Sequence, residues 1–162
     1  MAVELFRIDD RLIHGQVVVG WGQPLDLAFV VLVDDAVAAS EWEQELYRMG
    51  VPPEMELFFR SVEQARVDLP VFQARADHGM VLTADIATMR RLATLVQIPR
   101  VNVGGIHHRA GRAPKLRYVF LTADEEAELR ALAEQGIEVT AQDVPSAAPL
   151  ALDALLASTG DG

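Results

Sequence analysis

The sequence predicts an α/β fold, a doubly wound and mostly parallel sheet of about seven strands with helices on both faces. Three observations lead there. Short apolar runs rich in β-branched and aromatic residues alternate with helical patterns from one end of the chain to the other. Several of those runs are apolar on both faces, as strands sandwiched between two helical layers must be. The hydrophobic fraction, 51%, comes mostly from Ala, Val and Leu and little from aromatics, a composition that argues against a disordered or fibrous chain. The 162 residues fit one ordinary domain, expected over 1–162, with residues 157–162 as a frayed tail.

Taken in order, Val3–Ile8 is the first strand, and Gly15 begins an amphipathic turn that ends near Trp21. Leu27–Val33 is the second strand, after which Asp35 is placed to cap a helix over Ala36–Met49. Met55–Phe59 is the third, followed by Ser61-Val-Glu-Gln64, a capping-box pattern. Gly79–Leu82 is the fourth. Asp85 then caps Ile86–Gln97, where Ile86, Met89, Leu92, Ala93 and Val96 fall on one face. Val101–Val103 and Leu116–Leu121 are the fifth and sixth strands. Thr122-Ala-Asp-Glu125 is a second capping box, Gly136 stops its helix, and Ile137–Thr140 is the seventh strand. Pro149 opens a last short helix through Leu155 and Leu156. The ligand site of such a sheet lies beyond the carboxyl ends of its strands.

Composition removes several classes of function. Zero Cys excludes disulfides, thiolate zinc sites, Fe–S clusters and a cysteine nucleophile, and suits a reducing cytoplasm. Apolar runs such as Leu27–Val33 fall far short of the ~20 residues that cross a bilayer, so a cytoplasmic protein without membrane insertion is expected. A net charge of −10 disfavours nucleic acid. Gly20-Trp-Gly22 does not extend to a dinucleotide fingerprint, and His107 and His108 are adjacent without metal-ligand spacing, so neither cofactor nor metal is expected. His78, before Gly79, reads as a turn residue.

The charge is uneven. Between Asp85 and Asp124 the chain has no acid but seven of its 14 basic residues, Arg90, Arg91, Arg100, Arg109, Arg112, Lys115 and Arg117. Such a stretch is either a set of solvated faces or a local positive field for a phosphate or an acidic partner, with Arg109, Arg112 and Lys115 as a rim.

The densest polar segment is the first strand-to-helix junction, Arg7-Ile-Asp-Asp-Arg-Leu-Ile-His-Gly-Gln16. A histidine ahead of a helix faces free N–H groups and the positive end of the dipole, which disfavour the imidazolium and stabilise a bound anion. His14 there suits a phosphohistidine, with Gly15 beside it and Arg11, three residues earlier, able to approach the phosphoryl oxygens. Asp9 and Asp10 cannot hold a phosphate by charge; they are expected to orient Arg7, Arg11 or the His14 ring, or to cap the helix. Trp21 is expected to pack. Val101-Asn-Val-Gly-Gly105 ends a strand, and its Gly104 and Gly105 either bring backbone N–H groups to a phosphate or form a simple turn.

These residues resemble a known family. The string from Arg7 to Val17, followed by Trp21, is similar to the active-site segment of enzyme IIB components of the mannose/fructose/sorbose class of the phosphoenolpyruvate-dependent sugar phosphotransferase system (PTS). Val31-Leu-Val-Asp-Asp35, Val101-Asn-Val-Gly-Gly105, Leu121-Thr-Ala-Asp-Glu125, Gly136-Ile-Glu-Val139 and Gln142-Asp-Val-Pro145 recur in that family's order. The resemblance implies a seven-stranded sheet with an antiparallel edge and a phosphocarrier in which His14 takes phosphate on Nδ1 from phospho-IIA, with Arg11 supporting. It then passes the group to a sugar entering through a IIC–IID membrane complex. It further implies a IIA on a separate chain. Two other readings stay open at this point: a regulatory phosphocarrier that transports no sugar, and a non-catalytic small-ligand module.

Overall fold

In the computed structural model, which describes residues 2–13 and 15–160, the expected sheet is present. The elements are β1 (Val3–Ile8), α1 (Gly15–Gly22), β2 (Leu27–Val33), α2 (Asp35–Ala38), α3 (Glu41–Met49), β3 (Glu56–Arg60), α4 (Val62–Gln73), β4 (His78–Thr83) and α5 (Ile86–Leu95). Then come β5 (Arg100–Val103), β6 (Ala113–Leu116), β7 (Val119–Leu121), α6 (Ala123–Glu134), β8 (Glu138–Ala141), β9 (Leu150–Ala151) and α7 (Leu152–Ala157). Seven strands pair in the order β3-β2-β4-β1-β5-β8-β9, all parallel except β9, which runs antiparallel to β8 at the edge.

Alternate residues of the central strands enter opposite cores. Phe29, Val31 and Val33 of β2 pack with α4, α5, α6 and α7 on one face, while Val30 and Leu32 join Met80 and Leu82 under α1 and α2 on the other. Each such side chain contributes roughly 1.5–3 kcal/mol on burial, so both faces commit the strands to one register.

Side chains set the helix starts. Ser61 and Gln64 close one capping box, and Thr122 and Glu125 another. Asp85 accepts the N–H of Thr88. At the end of α6, Gly136 at φ +91° donates to Ala133 O (3.0 Å) and Ile137 to Leu132 O (3.3 Å), a left-handed stop that favours glycine.

Three expectations need correction. The sixth candidate strand, Leu116–Leu121, does not join the main sheet; Arg117-Tyr118 is the turn of the separate β6–β7 hairpin, and β9 supplies the seventh strand instead. Leu150-Ala151, placed in a helix by sequence, is that strand, because its backbone completes the open edge of β8. The helix expected over Ala36–Met49 is two helices: Asp34, not Asp35, caps α2, and Ser40 caps α3 by accepting the N–H of Glu43. In the expected tail segment, α7 reaches Ala157 and Gly160 donates to Lys115 O at 3.0 Å.

Candidate functional site

β1 lies between β4 and β5, where the chain changes the direction in which it adds strands, and the crevice at such a point is where doubly wound sheets place ligands. The junction Arg7–Ile13 leaves the sheet there. His14 lies outside the described residues; its neighbour Gly15 is the first residue of α1.

Arg7 is fully buried, and its guanidinium ties three strand ends together. It donates to the Asn102 side chain on β5, to Gln142 O at 2.8 Å and Asp143 O at 3.2 Å after β8, and to Asp9 Oδ2 at 3.1 Å. The ring of Trp21 covers it, 4.5 Å from ring centre to guanidinium carbon. Trp21 is itself buried and donates to Asp143 O, so it packs, as expected.

Asp9, also fully buried, is held from two sides. Besides Arg7, it accepts Arg11 Nη2 at 2.7 Å, Arg11 Nε at 2.9 Å and the Arg11 backbone N–H at 3.1 Å. Burial pushes its carboxyl up, but the Arg11 hydrogen bonds and the charges of both arginines outweigh that and hold it below the ordinary carboxylate range. Asp9 in turn raises the Arg11 guanidinium, while burial lowers that of Arg7. Two cations share this one buried carboxylate, and Asp143, 3.6 Å from Arg11, brings the four groups to formal balance. The expectation that Asp9 orients Arg7 and Arg11 describes the geometry.

The glycine pair fits against this cluster. A Cβ on Gly104 would lie 2.3 Å from Arg7 Nη2 and 2.6 Å from Asp9 Oδ2; one on Gly105 would lie 3.1 Å from Arg11 Nε. The Gly104 N–H donates to Ile8 O at 2.7 Å. Its lack of a side chain is what lets the ion cluster form.

Asp10 does something different from Asp9. Its N–H donates to Gly105 O at 2.8 Å, and its carboxylate accepts the backbone N–H and ring of His107. Between Asp10 and His14, Leu12 has φ +53° with its side chain buried, and its N–H donates to Asp9 O.

The basic stretch is largely neutralised by acids from elsewhere in the chain. Arg112 grips Glu125 through two nitrogens at 2.8 and 2.9 Å, Lys115 pairs with Glu126, Arg91 with Asp35, Arg100 with Glu138, and Arg117 with Asp143. Arg112 and Lys115 therefore do not form the free rim that the sequence allowed. Among the described residues, Arg109 keeps its charge exposed and without an ion pair. His78 pairs with Glu4 at the opposite end of the sheet. No cluster of metal-binding side chains occurs among the described residues.

Asn102, Gln142 and Asp143 were legible as motif letters but not as partners of Arg7. The available signal was Asn102 itself, a polar residue inside an apolar parallel strand, which needs a buried partner.

Compared with known proteins, residues 3–161 match the family model described as PTS system sorbose subfamily IIB component. The chain belongs to that family. This IIB chain is 32% identical over 147 residues to the N-acetylgalactosamine-specific phosphotransferase enzyme IIB component 1 of Escherichia coli K12, covering 87% of the chain and 90% of the relative. It is 31% identical to the sorbose-specific EIIB component of Klebsiella pneumoniae, covering 90% of each. The crystal structure of the IIBSor domain of the Klebsiella pneumoniae sorbose permease superposes with a TM-score of 0.86 at 28% identity, covering 96% of this chain and 97% of that one. IIB components of the PTS act as phosphotransferases, and this chain takes its place in sugar phosphotransfer. Among the described residues, no helix is long and apolar enough to cross a membrane.

Proposed function

We propose that this IIB chain is a histidine phosphocarrier of the cytoplasm. His14 accepts phosphate from phospho-IIA and passes it to a sugar entering through a IIC–IID membrane complex. In the first step the N–P bond of the donor histidine breaks as the His14 N–P bond forms. In the second the His14 N–P bond breaks, a sugar O–P bond forms, and the hydroxyl proton leaves to solvent. Such chemistry needs positioning and charge stabilisation more than covalent help. The observation that carries this reading is the Arg7–Asp9–Arg11 cluster at the carboxyl end of β1, which fixes two guanidinium groups three and seven residues before the motif histidine in the chain. Gly15 supplies a helix-start amide in this scheme, and Gly105 leaves room for Arg11.

Incubation with phosphoenolpyruvate, the general phosphotransferase proteins and a IIA of the same class, followed by intact mass, tests it. An added phosphate stable in base and lost in acid supports the reading. No added mass refutes it and favours a small-ligand module.

Arg11→Lys keeps the charge but loses the planar fork that now takes both oxygens of Asp9. Its transfer rate, followed by quenched flow, is expected to fall about tenfold, with a much smaller effect on thermal stability. A rate within about twofold of the parent would count against Arg11 as a phosphate partner.

Charge reversal separates the two basic-stretch arginines. Arg109→Glu is expected to slow transfer from phospho-IIA severalfold at low salt, with the deficit fading above ~0.15 M, because only long-range attraction is lost. Arg112→Glu instead sets two carboxylates face to face and is expected to lower the melting temperature.

A further inference from the structure

The loop after β5 carries two adjacent histidines that do different things. His108 packs edge-on against Phe120, with ring centres 5.6 Å apart. The His107 side chain is 67% exposed, yet Nδ1 lies 2.5 Å from Asp10 Oδ1 and its backbone N–H donates to Asp10 Oδ2 at 2.8 Å. Both oxygens of one carboxylate thus close on one residue. The Asp10 N–H returns a bond to Gly105 O, and three hydrogen bonds join the β1–α1 loop to the β5–β6 loop. Arg112 braces the arrangement by donating to His107 O at 2.7 Å while gripping Glu125.

We propose that His107 is a positioning residue for phosphoryl transfer, clamping the phosphoacceptor loop through Asp10 and setting that loop's charge by its own protonation; this rests on the carrier reading of His14. The clamp acts on the right segment. Asp10 stands four residues before His14 in the chain, and the intervening backbone is anchored from the other side by Asp9. Around His107 the charged and titratable groups are Asp10 and Arg11 from the β1–α1 loop, His108, Arg109 and Arg112 from its own loop, Asp85 at the start of α5, which acts on Arg112, and Glu125 from α6, held by Arg112. Of these types, histidine alone ordinarily changes charge between about pH 5 and 8. With His107 protonated, Asp10 is compensated. With His107 neutral, Asp10 loses its nearest positive partner, Arg11 and Arg112 acting on it without the hydrogen-bonded contact, beside the loop that must receive a phosphoryl group of about −1.5 to −2 charge.

Two substitutions separate grip from charge. In His107→Asn the side-chain amide can still donate to Asp10 from nearly the Nδ1 position but cannot titrate. In His107→Ala both functions are lost. Single-turnover transfer from phospho-IIA is measured from pH 5.5 to 8.5 and expressed as the parent-to-variant ratio, so that titration of His14 and of the donor cancels. For His107→Asn the ratio is expected to be about fivefold at the acid end and to decline toward one at the alkaline end. His107→Ala is expected to be slower than the parent at every pH. A flat ratio for His107→Asn, or an alanine variant as fast as the parent throughout, overturns the assignment. A parent chain that takes no phosphate overturns the carrier reading and this proposal with it, whereas a flat ratio in a phosphorylated chain overturns the role of His107 alone.

Discussion

A His14→Ala variant is expected to take up no phosphate from phospho-IIA while its melting temperature stays within about 2 °C of the parent, as the sequence's assignment of His14 to a loop predicts. The motif offers no second nucleophile. Asp9 is buried under two arginines and Asp10 is closed on His107, so neither carboxylate can stand in. Intact mass under basic conditions checks it in one measurement, with His78→Ala as the contrasting variant, since His78 pairs with Glu4 away from the site. Phosphate retained in His14→Ala would remove the histidine from the mechanism, and phosphate lost in His78→Ala would place the site at the wrong end of the sheet.

The second large effect is on the fold. Arg7→Met removes a guanidinium that meets Asn102, Gln142, Asp143 and Asp9 at once, and leaves Asp9 fully buried with Arg11 as its remaining cation. Breaking one side of a buried pair costs about 3–5 kcal/mol, which for a domain of this size lowers the melting temperature by roughly 6–20 °C. The pH dependence has a definite sign. The Asp9 carboxyl is depressed in the folded chain, so its stabilising contribution is present above the ordinary carboxylate range and is lost as pH falls through the depressed value. With Arg7 gone the depression is smaller, and acid unfolding should begin at a higher pH than in the parent. Circular dichroism melts at pH 7 and an acid titration at room temperature measure both. A variant as stable as the parent would show that Asn102, Gln142 and Trp21 hold the strand ends without the cation.

Much of this was readable before any coordinates. Both capping boxes, the Asp85 cap and the Gly136 stop depend on local chemistry within four residues, and each stands where the sequence placed it. Where the reading failed, long-range pairing decided. Leu150-Ala151 has no strand signature; it becomes a strand because β8 offers an unpaired edge. Leu116–Leu121 has strand composition, but Arg117-Tyr118 turns the chain back on itself. The basic stretch looked like a field because its counter-ions Asp35, Glu125, Glu126, Glu138 and Asp143 lie outside it in sequence and beside it in space. At the site, the sequence places Arg7, Asp9, Asp10 and Arg11 in one closely spaced polar segment and leaves open whether the carboxylates orient the arginines or the His14 ring, or cap the helix. What the spacing could not show was that Gly104 is small for their sake, or that Asp10 points away from Asp9 toward His107.

Leu12 carries a last implication. A branched residue at φ +53° holds a conformation that costs of order 1 kcal/mol or more, and burial of its side chain in the core beneath α1 roughly offsets that. Glycine would adopt the same backbone at no steric cost but would supply no anchor. The segment leading to His14 is thus fastened during folding, and its ordering entropy, about 1–2 kcal/mol for each residue fixed, is settled then. On the carrier reading proposed above, a segment anchored in this way before phosphate arrives has little tightening to reverse when the phosphate leaves, so neither half of the cycle is trapped by the other.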